Sequence, residues 1–171
     1  EKIEGFPKKF FVSSLLSGLS TISFLSIDII LAKHYLSPED AGRYALISLV
    51  GKMVFFLGSL ASQFTVSLVS RNEGRRLDSA KTFASILLST YLLCVIGFLA
   101  VGVFGHITVP ILFGENALSI VSYLPLFAFA MLLFTIAKVF VSYYQSKKLY
   151  SFSVITFVLA IVQIALIYIN H

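Results

Sequence analysis

Charge is scarce in this sequence. Only 12% of its 171 residues are Asp, Glu, Lys or Arg, against about a quarter in an ordinary soluble domain. Tryptophan is absent, and cysteine occurs once, at Cys94 inside an apolar run. A lone cysteine excludes an intrachain disulfide and a cysteine-based metal cluster. No grouping of His, Cys, Asp and Glu has metal-ligand spacing; His34 and His106 stand apart near segment ends, so no metal is expected. There is no Walker loop, dinucleotide fingerprint or nucleophile elbow. With no catalytic constellation and no cofactor motif, the sequence does not read as an enzyme.

What is present is apolar surface. Hydrophobic residues make up 58% of the chain, with 17 Phe and 8 Tyr among them. They fall in five continuous runs. A bilayer core of about 30 Å needs about 20 helical residues, and lipid forces each backbone to satisfy its own hydrogen bonds. The runs therefore predict an all-α, polytopic membrane protein. Its five helices are expected over about 10–32, 45–69, 83–104, 118–144 and 150–169. Continuous rather than alternating runs argue against a β-barrel. The first run follows Lys8 and Lys9, but it is too long for a signal-peptide core and four more follow. Residues 1–171 read as a single helical bundle, and a start at Glu1 fits a fragment of a longer chain.

The connectors carry the signals that the runs lack. Ser37, Pro38, Glu39 and Asp40 form a helix-start signature: a capping hydroxyl, a first-turn proline and two acids at the positive end of the dipole. This predicts a short helical turn at the membrane surface, with Gly42 allowing a close turn into the second span. The third connector is shaped by Pro110 and Gly114. The net charge of +5 does not indicate nucleic acid, because the basic residues sit between apolar runs. Lys2, Lys8, Lys9, Arg71, Arg75, Arg76, Lys81, Lys147 and Lys148 fall on one side, and Lys33 and Arg43 on the other, nine against two. The positive-inside rule then puts the N-terminus in the cytoplasm.

Three ionisable residues remain inside the spans: Asp28, Lys52 and Lys138. Such groups are costly in lipid and usually face protein or water. Ser14, Ser17, Thr21 and Asp28 share one face of the first helix, and Ser48, Lys52, Ser59, Gln63 and Ser70 share one face of the second. Consecutive helices on a short loop are usually neighbours. The two stripes are therefore expected to line a hydrated cavity, with Asp28 and Lys52 paired or facing each other across it. The plainer reading is that small polar residues mediate helix contacts, while Asp28 is solvated and Lys52 snorkels. Lys138 is expected to snorkel to the basic end. Pro125 is a possible hinge inside the fourth span; the plainer readings are a static kink or a helix that starts at Pro125.

Three stretches resemble a known family. "YLSPEDAGRYALISLVGK" (Tyr35 to Lys52), "VPILFGENA" (Val109 to Ala117) and "YYQSKKLYSF" (Tyr143 to Phe152) are similar to connector patterns of polysaccharide flippases. These belong to the multidrug/oligosaccharidyl-lipid/polysaccharide exporter superfamily. The order of the motifs matches five of the six helices of one bundle, more the C-terminal bundle than the first. The resemblance implies transport of a lipid-linked oligosaccharide or polysaccharide repeat unit across the cytoplasmic membrane by alternating access. It implies a second bundle elsewhere in the same chain, contact with membrane lipid and possible ion coupling. Lys52 would attract the substrate phosphates, and Asp28 would serve ion coupling or hold Lys52 when no substrate is bound. Asp28, Lys52, Gln63, Ser17, Thr21 and Ser59 are the expected cavity residues. The rival readings are a multidrug or lipid II exporter of the same superfamily and a small membrane scaffold or accessory subunit. A polysaccharide-cluster glycosyltransferase is disfavoured, since it would need a large extramembrane catalytic loop.

Overall fold

The computed structural model describes residues 8–75 and 77–169, so Lys2 and Arg76 lie outside the described residues. Among these, the chain is helical with no strand. The elements are α1 (Lys8–Tyr35), α2 (Pro38–Ser62), α3 (Thr65–Gly74), α4 (Ser79–Phe98), a π-helical turn (Leu99–Val103), α5 (Gly105–Phe113), a 3₁₀ stretch (Glu115–Tyr123), α6 (Leu124–Ser146) and α7 (Ser151–Ile169). They give five segments long and apolar enough to cross a membrane. The chain is a polytopic all-α membrane protein.

Several boundaries differ from the sequence expectation, each for a local reason. The second span begins at Pro38, not near residue 45. Ser37 caps it by accepting from the Asp40 N–H, and Pro38 occupies the first turn. Gly42 lies inside the helix, because glycine permits a turn without imposing one. The same span breaks at Gln63–Phe64, so it is two helices rather than one. The third span ends in the π turn, whose loosened Ala100 carbonyl accepts a 2.7 Å hydrogen bond from the Thr108 hydroxyl. The third connector is no open loop: α5 and the 3₁₀ stretch fold over the bundle end around Gly114, whose φ of +83° suits glycine. Pro125 sits in the first turn of α6, where a missing N–H costs nothing. It therefore stands at the start of α6, where the 3₁₀ stretch passes into it within one span.

The core lies between α2, α4 and α6. Val50, Val54, Cys94, Val101, Ala128 and Leu132 are buried there, and Val109, Ala117 and Ile120 extend it under the end cap. Outside this trio, α1 and α7 run side by side, joined by the Ser13 and Ser153 hydroxyls at 2.7 Å and by the Tyr35 and Tyr168 rings at 6.4 Å. Lipid offers no hydrophobic drive between helices, so such polar contacts and close packing hold the pair. At the basic end, Lys147 meets Glu73 at 3.5 Å. That contact brings the connector after α3 and the connector after α6 to the same end of the bundle.

One close approach in the core is at Gly58 of α2. A Cβ there would fall onto the Cys94 sulfur and lie 2.8 Å from the Thr135 methyl. Cys94 fills this gap as a small packed side chain, its thiol pointing at the Val54 carbonyl 3.8 Å away. Gly58→Val is expected to force α2 from α4 and α6 and to destabilise the protein by about 1–3 kcal/mol. Thermal unfolding in detergent checks this; an unchanged midpoint would mean that the three helices do not pack at this glycine.

Candidate functional site

The strongest polar constellation joins α1 to α2 in the half of the bundle nearest the link between them. The Lys52 ammonium donates to both Asp28 oxygens, at 2.9 Å to Oδ1 and 2.8 Å to Oδ2. Ser48 and Tyr44 each donate their hydroxyl to Oδ2 at 3.0 Å. Asp28 and Lys52 are only 8% and 4% exposed. Tyr44, Ser48 and Lys52 follow each other at four-residue steps, so one face of α2 presents three donors to one carboxylate. Burying either charge alone would be costly in a low dielectric. Each finds its compensation in the other, and the two hydroxyls add further donors to Oδ2. Asp28 and Tyr44 also line a cleft of about 410 Å³ with Leu31, Tyr35, Leu36 and Leu166, towards the C-terminal ends of α1 and α7.

The other expected cavity residues do not join this cluster. Ser17 and Thr21 lie lower on α1, in a separate pocket of about 110 Å³ with Ser20, Lys138 and Thr156. Ser59 and Gln63 turn back on their own helix, donating to the Phe56 and Leu60 carbonyls at 2.7 and 3.1 Å. Gln63 is exposed at the α2–α3 break. Thus the two stripes meet only near the α1–α2 loop. Further down, α1 is bonded to α6 and α7 instead: Gln145 donates to Ser14 at 2.8 Å, and Ser13 pairs with Ser153.

Lys138 does not run to the basic end. Its ammonium lies over the Phe55 ring, 5.1 Å from the centroid. Phe55, Phe134 and Phe24 form a chain of rings with centroid separations of 5.6 and 5.1 Å, spanning α2, α6 and α1. This aromatic row lies between the Asp28–Lys52 pair and the Lys138 pocket. Sequence reasoning missed Tyr44 and the interior position of Lys138. The four-residue step from Tyr44 to Ser48 to Lys52 was available for the first; for the second, no local signal names Phe55 as a partner.

Among the described residues, no group of three His, Cys, Asp or Glu side chains could hold a metal ion. No family model matches this chain, and neither a curated protein nor a solved structure matches it significantly.

A double-mutant cycle tests the pair. Asp28→Leu or Lys52→Met alone strands a buried charge, and each is expected to lower stability by about 3–5 kcal/mol. The double variant removes both charges and is expected to recover most of that loss. Strictly additive losses in detergent unfolding would show that the two side chains act independently.

Proposed function

We propose that this chain forms most of one helical bundle of a flippase that moves a lipid-linked oligosaccharide or polysaccharide repeat unit across the cytoplasmic membrane. The observation that carries the reading is the buried Asp28–Lys52 pair at the edge of an outer cleft. Ionisable residues inside membrane spans mark substrate or ion pathways by default, and this pair has a property a transporter can use. Among the described residues, its charges are satisfied by each other and by two hydroxyls. A polyanionic headgroup reaching Lys52 would compete with Asp28, and the displaced carboxylate would then bind a proton or a cation. Substrate and coupling ion would thereby exchange for one internal salt bridge.

Alternating access by this route requires a second bundle for the first to move against. The connector motifs that resemble polysaccharide flippases support the same assignment. The nine-to-two distribution of Lys and Arg supports an N-terminus in the cytoplasm. The Lys147–Glu73 contact, which gathers two of the basic connectors at one end, agrees with it.

Transport in proteoliposomes tests the proposal. Protein reconstituted with polyprenyl-diphosphate oligosaccharide is expected to translocate it, and Lys52→Ala is expected to slow translocation by roughly tenfold or more, the worth of one lost charge-assisted hydrogen bond. An unchanged rate in Lys52→Ala would remove the pair from the pathway and with it the argument for a flippase.

A further inference from the structure

Four lysines gather at the basic end of the bundle, where α1 begins and α6 passes into α7: Lys8, Lys9, Lys147 and Lys148. Lys147 is accounted for. Its ammonium meets Glu73 at 3.5 Å and lies over the Tyr143 ring, and Glu73 accepts a second bond from the Ser79 hydroxyl. Among the described residues, the ammonium groups of Lys8, Lys9 and Lys148 meet no carboxylate.

The turn after α6 does not account for Lys148. There the Leu149 N–H donates to the Tyr144 carbonyl at 2.9 Å, and the Lys148 N–H donates to the Gln145 carbonyl at 3.0 Å. This helix ending calls for a left-handed residue, usually glycine. Lys148 fills the place at a φ of +62°, a conformation that a side chain disfavours. Glycine would serve the turn better, and strain of this kind gathers where a ligand is held.

Two cavities of different chemistry share the Tyr150 side chain as a wall. The first, of about 590 Å³, is polar and lined by Ser70, Gln145, Lys147 and Lys148. Gln145 is fixed in it by donating to Ser14 at 2.8 Å. The second, of about 340 Å³, is an apolar groove between α1 and α7, lined by Val12, Leu16 and Val154, with Lys8 and Lys9 at the end where α1 begins. The small Ser13 and Ser153, joined at 2.7 Å, let the two helices approach there. Val12 and Val154 are half exposed on membrane-crossing helices, so the groove opens to lipid. A cationic chamber beside an apolar groove complements a molecule with an anionic head and an acyl chain, and basic pockets between membrane helices are where such heads are held.

We infer that this end of the bundle binds an anionic phospholipid of the adjoining leaflet. Its phosphate sits in the chamber with Lys148 and Tyr150, flanked by Lys8 and Lys9, and one acyl chain lies along Val12, Leu16 and Val154. The site does not depend on the flippase reading, and it is read by binding rather than by transport.

The test is lipid retention by the whole protein in nanodiscs of phosphatidylcholine doped with phosphatidylglycerol of the same acyl chains, followed by native mass spectrometry. The wild type is expected to retain phosphatidylglycerol over phosphatidylcholine. Lys148→Gly is expected to lower that preference about fivefold, the worth of one basic residue at an anionic headgroup. Its thermal midpoint is expected to stay level or rise, because the turn is relieved. Lys8→Gln/Lys9→Gln is expected to lower the preference at least as far, and Lys33→Gln, at the opposite end of α1, to leave it intact. Val154→Trp fills the groove, keeps every charge and is expected to reduce phosphatidylglycerol retention. Equal preference in wild type, Lys148→Gly and Lys8→Gln/Lys9→Gln would overturn the site, as would an equal loss in Lys33→Gln. Unchanged retention in Val154→Trp would overturn the acyl groove, and displacement by glycerol phosphate would put a free phosphate in the lipid's place.

Discussion

The grip of the Lys52 ammonium on both oxygens of Asp28 ties α1 to α2 inside a medium that offers neither charge a substitute. Water outside the bilayer would weaken such a bond to near nothing. Inside, separating the pair leaves two uncompensated charges, so the linked ends of α1 and α2 are held in one register. The short Leu36–Ser37 link and the Ser37 cap bring the two helices to that register from the connector side. Below the pair the constraint relaxes: α1 turns its polar face to α6 and α7, and the packed contacts of α2 are with α4 and α6.

This division organises the bundle along its axis. The ion pair and its cleft occupy the half nearest the α1–α2 link. The Phe24, Phe134 and Phe55 rings cross the middle. The Lys138 pocket lies below them, and below that a wider cavity of about 590 Å³ is lined by Ser70, Glu73, Gln145, Lys147, Lys148 and Tyr150. Polar groups thus recur at three depths, separated by aromatic or aliphatic packing. A rigid structural bundle has no need of charges at intermediate depth, since apolar residues of similar volume would serve stability as well or better. Their placement at these depths is what the proposed transport function draws on.

Much of this architecture was legible in the sequence. Five apolar runs gave the five spans, because length and continuity are all that lipid demands of a crossing helix. Ser37 and Pro38 gave a helix start, since a cap is a local device. The alignment of Asp28 with Lys52 followed from helical period and a short loop. The failures share a cause. The break at Gln63–Phe64 carries neither Pro nor Gly, and the π turn at Leu99–Val103 has no composition of its own. Once α2 breaks and α1 changes neighbours, a stripe drawn on straight helices no longer faces one cavity, which is why Ser17, Thr21, Ser59 and Gln63 part company. Lys138 was misread because its fate depends on Phe55, a residue 83 positions away that no local pattern links to it.

The central claim is that the Asp28–Lys52 salt bridge exists in the bilayer and is exchanged for substrate. Solid-state NMR of protein labelled with ¹⁵N at lysine and ¹³C at aspartate, in lipid bilayers, reads the dipolar coupling between the Lys52 Nζ and the Asp28 carboxyl carbon. The account predicts a strong coupling without substrate, absent in Asp28→Asn/Lys52→Met, and its loss when polyprenyl-diphosphate oligosaccharide is added to saturation. A coupling that persists unchanged at saturation, or that is missing from the substrate-free protein, would contradict it.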